Sequence, residues 1–466
     1  MSARGVEDAQ REVIAFLSDP ASYGLGGGAV ERIDTHCSVV FLAGACAYKL
    51  KRAIRYAALD YTTRARRWAA CAAELALNRR TAPDLYLGVR SVTRTADGAL
   101  AFDGARMAVD HVVVMRRFAR DGLFDRMADR GLLTPGLMRA LGAEVARLHR
   151  AAALTPQFGG ARAMRRVVAT NERELTRVAA ALDGVAMDAL RDRTLAAVAT
   201  LAPLLEARRR GGKVRRCHGD LRLANICLLA GLPTLFDCIE FSAEIGCIDV
   251  LYDLAFLLME LDLRGRNDLG NAAFNAYLDC APETEGLRTL PLFLALRAAT
   301  RAFALAGSAA RQPGPRQARG QTAAARRHVA AAFDFLDPPA PLFVALGGGT
   351  AAARQALAPP LAALAAPAPG ARPLRPDGAW GEIAHASLAA GCPVLAEGAF
   401  GEPEPRRMAT AVAAPHRRRL LWLGTPPDPA WQGLDPGEST PALLDRAARL
   451  LETGARAGRS MTEPCP

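Results

Sequence analysis

His218-Gly219-Asp220-Leu221-Arg222-Leu223-Ala224-Asn225 holds an aspartate and an asparagine five residues apart, just before a strand-like run, and a second strand-like run ends at Asp237. Phosphoryl transfer from magnesium-ATP to a hydroxyl needs such a set. One carboxylate orients the attacking hydroxyl and accepts its proton, while an amide oxygen and a second carboxylate hold the metal ions that neutralise the β- and γ-phosphates. Each residue alone is commonplace, and a polar turn with a capping aspartate is the competing reading. The three together, on a loop–strand–turn–strand framework, are specific.

The same chemistry needs an ammonium on the α/β-phosphates and a helix glutamate to hold it. Of 59 basic residues only Lys49, Lys51 and Lys213 are lysine. Arginine drift accounts for the excess, yet two of the three lysines fall in Tyr48-Lys49-Leu50-Lys51. Alternation puts Ala47, Lys49 and Lys51 on one strand face. Glu74, in the helix that follows, is the partner expected for Lys49; a solvent lysine and a helix-surface glutamate are the alternative. Gly44, in the preceding hairpin, would let the backbone approach phosphates, although that hairpin has no GxGxxG. Gly24-x-Gly26-Gly27-Gly28 comes too early and reads as a loop.

The elements that must position these groups follow from periodicity. Residues 39–42 and 47–50 read as two strands joined by 43–46, 63–80 as a helix, and 107–118 as a β-branched strand. Helical patterns cover 135–152, 163–182 and 187–207. Strands 226–229 and 234–236 flank a turn at 230–233, and helices return over 249–261 and 287–307. Asp337-Pro338-Pro339-Ala340-Pro341 marks a boundary, after which 342–346 is a buried-type strand leading into Gly347-Gly348-Gly349.

Six segments carry a family resemblance: Ile33-Asp34-Thr35-His36, Ala47-Tyr48-Lys49-Leu50-Lys51, Glu74-Leu75-Ala76-Leu77-Asn78-Arg79-Arg80, His218-Gly219-Asp220-Leu221, Phe236-Asp237-Cys238-Ile239-Glu240-Phe241 and Ile248-Asp249-Val250-Leu251-Tyr252-Asp253-Leu254-Ala255. Together they resemble the aminoglycoside-phosphotransferase-like bacterial proteins, in which a protein-kinase-like domain precedes a P-loop kinase domain. The resemblance covers nearly the whole chain and is most specific from residue 218 to 255. It implies an α+β bilobal protein-kinase-like domain followed by a smaller α/β P-loop-like three-layer domain. The division it suggests is an N-terminal helical extension (1–29) and a kinase-like domain (30–335), then a degenerate P-loop-like domain (340–455). Within the second of these, 30–118 is a strand-rich lobe, 119–310 a helical lobe and 311–335 a basic linker or helix.

The resemblance further implies Asp220 as catalytic base, Asn225 and Asp237 as magnesium ligands, and Lys49, Glu74 and Gly44 at the nucleotide. His218 and Asp253 would support the catalytic loop. Where the family often has a second histidine, this chain has Arg222, which would alter acceptor or phosphate contacts. Glu240 would line the acceptor pocket or cap a turn.

The C-terminal loop departs from a working P-loop, GxxxxGK[ST], whose lysine reaches the β/γ-phosphates and whose hydroxyl binds magnesium. Here the register reads Gly348-Gly349-Thr350-Ala351-Ala352-Ala353-Arg354-Gln355, so glycine, lysine and hydroxyl are replaced by Ala353, Arg354 and Gln355. Downstream, Glu397 stands where the family carries a strand-end aspartate. The expectation is a P-loop-like fold without ATP hydrolysis, kept for stability or for contact with the first domain.

Net charge is +12, of which residues 338–466 hold only +1 (12 arginines, 11 acids). Neither aromatic interleaving nor a recognition motif accompanies it, which argues against nucleic acid. No run reaches the roughly 18 uninterrupted apolar residues of a membrane helix, the N-terminus lacks a signal-like core, and ten single cysteines argue against zinc or disulfide frameworks. The expectation is a soluble cytoplasmic enzyme moving the γ-phosphoryl group of ATP, with Mg2+, to a hydroxyl of a small molecule. The alternative is a nucleotide-binding regulator or scaffold with little turnover.

Overall fold

Period-two alternation organises the first part of the chain. In the strand Cys46–Lys51, Tyr48 and Leu50 point to one face, Ala47, Lys49 and Lys51 to the other. In the computed structural model, this strand lies inside a six-stranded antiparallel sheet. The order is Glu31–Asp34, Ser38–Ala43, Cys46–Lys51, Ala108–Arg116, Tyr86–Arg94 and Leu100–Phe102. The residues described are 3–26, 28–56, 59–182, 187–310, 314–364, 372–374, 380–398, 400, 403–413, 417–427 and 429–452. Gly27 of the early glycine run, the start of the 311–335 segment and the end of the 340–455 segment lie outside them.

The helix Ala3–Ser18 covers one face of the sheet, burying Val13 and Leu17 against Val39, Phe41, Leu50, Val112 and Val114. The helix Arg64–Asn78 covers the other, with Cys71 packed among Ala47, Leu85, Val113 and Met115. Thr63 caps that helix, its side chain accepting from Arg66 N at 3.3 Å. The hairpin between Ser38–Ala43 and Cys46–Lys51 is tighter than the expected 43–46 turn. Ala43 pairs with Cys46, leaving the two-residue turn Gly44-Ala45, and Gly44 supplies the positive φ of 55°.

A second hairpin, Ile226–Leu229 with Leu232–Leu235, also closes more tightly than expected. Its turn is Ala230-Gly231, with φ of 49° and 80°, and Pro233 sits in the strand opposite Leu228. A proline fits there because a strand at the edge of a two-stranded ladder has a side needing no N–H donor.

By compactness the chain divides into two units, and not at the boundaries composition suggests. The first comprises Met1–Leu132, Ala152–Thr155 and Arg215–Ile248; the second comprises Leu133–Ala151, Pro156–Val214 and Asp249–Pro466. The reason lies in hydrogen bonds that tie the 215–248 segment to the end of the helix Arg64–Asn78. Arg80 donates to Arg216 O and Cys217 O, and Thr81 Oγ1 to Leu235 O at 2.8 Å.

The second unit begins with helices. In the helix Leu290–Ala309, residues 292–299 are buried all round, Arg297 among them. The segment Glu285–Ala309 is long and apolar enough to cross a membrane, although Arg297 and Arg301 interrupt its apolar run, and most of its apolar part is buried inside the protein. Asp249 caps the helix Val250–Leu263, accepting from Leu251 N at 2.9 Å while Arg208 holds its carboxylate at 2.7 and 2.8 Å. The expected basic linker contains the 22-residue helix Pro315–Leu336.

The same unit ends in a five-stranded parallel sheet, ordered Arg372–Leu374, Val394–Glu397, Leu342–Gly348, Arg417–Leu423 and Gln432–Leu434. Its central strand alternates between two cores. Leu342, Val344 and Leu346 pack with Leu357 and Leu361 of Ala351–Leu364 and with Leu443 and Leu451 of Thr440–Glu452. Phe343 and Ala345 pack with Trp380, Ala384 and Leu388 on the opposite side. Helices on both faces make three layers.

Candidate active site

The lysine face of the Cys46–Lys51 strand meets the inward stripe of the helix Arg64–Asn78, whose buried residues are Arg67, Ala70, Cys71, Glu74 and Asn78. That spacing of three and four residues is one helix face. Glu74 is fully buried, and its Oε1 accepts Lys49 Nζ at 2.8 Å while its Oε2 takes Lys51 Nζ. Lys49 also reaches Asp237 Oδ1 at 2.5 Å, and Lys51 reaches Glu240 Oε1. Burial alone raises the Glu74 carboxyl, but the two ammonium groups reverse the effect and hold it well below the carboxylate range. Desolvation lowers the Lys49 ammonium, and Asp237 and Glu74 more than restore it, so Lys49 stays charged.

The His218–Asn225 loop is fixed from beneath. His218 is fully buried; Asp220 N donates to its Nδ1 at 3.3 Å, and its Nε2 lies 2.9 Å from Phe236 O. A backbone amide only donates and a carbonyl only accepts, so His218 is the neutral tautomer protonated at Nε2. Gly219 has φ of 88°, and a Cβ there would meet Ile239 at 3.0 Å and Ile245 O at 3.2 Å, so only glycine fits.

Asp220 is about one-quarter exposed. Its Oδ1 accepts Arg222 Nε at 2.8 Å and its Oδ2 accepts Arg222 Nη2 at 3.2 Å and Asn225 Nδ2 at 2.8 Å. Burial pushes the Asp220 carboxyl up, but Arg222 and these hydrogen bonds bring it below its ordinary value. Asn225 Nδ2 donates also to Asp220 O at 2.9 Å, leaving the amide oxygen as the atom able to ligate a cation.

Asp237 adopts a positive φ of 62°, costly for a non-glycine residue, and Tyr86 OH accepts its N–H at 3.1 Å. The next amide, Cys238 N, donates to Asn78 Oδ1 at 2.9 Å. The Asp237 side chain is 43% exposed. The amide oxygen of Asn225 and the partly exposed carboxylate of Asp237 are hard oxygen donors, the chemistry magnesium takes.

The structure thus brings Lys49, Glu74 and Asp237 into one ion-paired group, and Asp220, Arg222 and Asn225 into another, all in the first unit. Gly44 forms the hairpin turn next to Lys49's own strand. Glu240 is turned inward to Lys51 and Tyr61 rather than capping a turn, because a buried lysine needs a counter-ion there. Asp253 lies in the second unit, fully buried, with His149 Nε2 at 3.1 Å and Arg297 at 3.9 Å; Tyr277 OH lies 3.0 Å from His149 Nδ1. Sequence reasoning missed Lys51, Tyr61, Tyr86 and Asn78 as members of the site. The signal for Lys51 was alternation, and for Asn78 it was the four-residue step from Glu74.

In the C-terminal sheet, Arg354 is buried and curls back on its own loop. Its Nη1 donates to Gly348 O at 2.6 Å and Gly349 O at 2.9 Å, and its Nε to Glu397 Oε1 at 3.1 Å. Thr350 Oγ1 accepts Ala353 N at 3.2 Å, and Gln355 is exposed.

Residues 123–290 match the model of the phosphotransferase enzyme family, a stretch that contains Asp220, Asn225, Asp237, Glu240 and Asp253 but neither Lys49 nor Glu74. The chain is similar to the uncharacterized protein Rv2004c of Mycobacterium tuberculosis, 30% identical over 273 residues, or 58% of this chain and 53% of that one. It therefore spans about half the length of that relative. Among solved structures, a choline/ethanolamine kinase family protein from Mesorhizobium loti aligns with 70% of this chain and 99% of its own, at 19% identity and a TM-score of 0.39. The amicoumacin kinase hAmiN, solved with AMP-PNP and Ca2+, aligns with 72% of this chain and 99% of its own, at 14% identity and a TM-score of 0.42. Over residues 123–290 the chain carries a domain of the phosphotransferase enzyme family.

Proposed function

We propose that the protein transfers the γ-phosphoryl group of ATP to a hydroxyl of a small molecule. The observation that carries this reading is the convergence, within one unit, of Asp220 and Asn225 with a Lys49–Glu74 pair whose lysine rests on the exposed Asp237. Lys49, held by Glu74, binds α/β-phosphate oxygens, and the Gly44 turn lets the backbone approach the nucleotide. Asp220 orients the acceptor hydroxyl and takes its proton as the new O–P bond forms and the bond from the γ-phosphorus to the bridging oxygen breaks, ADP being the leaving group. Asn225 and Asp237 hold magnesium, which neutralises phosphate charge when bound. His218 fixes the loop beneath Asp220, and Arg222 contacts acceptor or phosphate. The C-terminal sheet is a P-loop-like domain that does not hydrolyse ATP.

One feature favours a second reading, a nucleotide-binding regulator with little turnover: Arg222 grips both oxygens of Asp220, which weakens it as a base. ATP consumption against a panel of hydroxylated metabolites, with Asp220→Asn as control, separates the two. Turnover by the wild type that Asp220→Asn abolishes supports transfer. Equal inactivity of both, with ATP still bound, supports the regulator.

A further inference from the structure

Lys49 and Lys51 share Glu74 but differ in their other contacts. Lys49 touches Asp237, whose side chain is 43% exposed, whereas Lys51 is itself only 2% exposed and sits among groups that are buried as deeply. Its ammonium pairs with Glu74 and Glu240, whose side chains are 0% and 5% exposed, and lies 5.3 Å from the centre of the Tyr61 ring. Tyr61 OH donates to the same Glu240 oxygen that Lys51 takes. The Lys51 backbone is anchored as well. Buried Gln10 donates to Lys51 O at 3.0 Å and to Asp110 Oδ2 at 2.6 Å, accepts from Ala53 N at 2.8 Å, and Asp110 is in turn held by Arg67 at 2.8 Å.

A fully buried carboxylate left without a counter-ion is strongly unfavourable. Were the Lys49 ammonium to divide its charge between Glu74 and a phosphate, Glu74 would be left under-neutralised unless a second cation stayed in place. We propose that Lys51 is a positioning residue: it neutralises and orients Glu74 from the buried side, so that Lys49 can leave Asp237 for a phosphate oxygen without disturbing the glutamate. Asp237 is thereby released for the metal. This rests on the phosphotransferase reading, and it makes Lys49 the mobile member of the pair and Lys51 the fixed one.

The composition supplies a direct test, because the whole chain holds three lysines. The full-length protein is labelled with 13Cε-lysine, its three resonances are assigned by substitution, and spectra are recorded with and without Mg·AMP-PNP. The nucleotide is expected to move the Lys49 resonance and to leave those of Lys51 and Lys213 in place. In nucleotide-free protein, Lys51→Met is expected to move the Lys49 resonance, while Glu240→Gln leaves it unchanged because Lys51 remains on Glu74. In steady-state kinetics Lys51→Met raises KM for ATP by about tenfold, the scale of losing a residue that orients a ligand-binding group, and adds little in a Glu74→Gln background. The proposal is overturned if nucleotide moves Lys51 as much as Lys49, or if Lys51→Met and Glu240→Gln act alike on Lys49. The first result needs only substitutions of Lys49 and Lys213 for assignment, Lys51 following by elimination, so it stands even where Lys51→Met does not fold. Nucleotide moving none of the three resonances, with Lys51→Met still shifting Lys49, sinks the phosphotransferase reading and leaves the hold of Lys51 on Glu74 intact.

Discussion

Two regions of this chain place a cation beside a glutamate, and they hold it in opposite ways. In the antiparallel sheet, Lys49 is a compact ammonium between buried Glu74 and partly exposed Asp237. In the parallel sheet, Arg354 is forked and holds Glu397 and two loop carbonyls at once, with both side chains only 10% exposed. A lysine offers three donors on a rotating head and can exchange partners; an arginine bound at three points must break all of them together. Arg354, in the first turn of the helix Ala351–Leu364, and Glu397, at the end of the strand Val394–Glu397, pair with each other. The lesson is that a cation in a phosphate-like loop signals binding only when one of its partners is accessible.

The comparison breaks most sharply on activity. Lys49→Met is expected to lower ATP turnover by about 100-fold, the scale of removing one preorganised charge contact, whereas Arg354→Met leaves turnover unchanged; steady-state assays of both variants decide it. On stability the order reverses. Arg354→Met removes the guanidinium from Glu397 and from two loop carbonyls and is expected to cost about 3 kcal/mol in chemical denaturation, and adding Glu397→Gln should return part of it. A purely additive double variant would show that the two do not act as a pair.

Arg222 gives a subtler handle. It holds the Asp220 carboxyl below its ordinary value, and under the proposed function Asp220 would act as base only when deprotonated. Removing the guanidinium raises that carboxyl, so the acidic limb of the pH–rate profile of Arg222→Ala moves to higher pH. A limb that stays in place excludes Asp220 as the titrating base. The smallest effect concerns Gly219: Gly219→Ala should destabilise by about 1–2 kcal/mol, since a methyl enters a left-handed position already crowded by Ile239. Gly231→Ala, also at positive φ but in open space, should cost less in the same melts.

Much of this was legible in the residues. Alternation put both lysines on one face, and the run 218–237 displayed its acid–amide–acid spacing directly. The parts that were not legible depend on contacts distant in sequence. Nothing local tells that Glu240 faces Lys51 across 189 residues, and although Arg222 is only two residues from Asp220, the sequence does not say which way its side chain turns. The hairpin ends were misjudged for a different reason. Positive φ at Ala230 is unusual for a residue with a Cβ, so the sequence suggested a longer turn than the two residues that close it. The grouping of 215–248 with the sheet was likewise invisible, because Arg80 and Thr81 make it through backbone carbonyls.

The polar stripe of the helix Arg64–Asn78 works like the cuts on a key. Arg67 meets Asp110, Glu74 meets both lysines, and Asn78 meets the amide after Asp237. An apolar stripe tolerates a small roll of the helix, since one methyl substitutes for another. Here a slip of one residue turns the helix by roughly 100° and unseats every partner together. The helix therefore has a single admissible phase, and the lysine that would read a nucleotide inherits that phase from it.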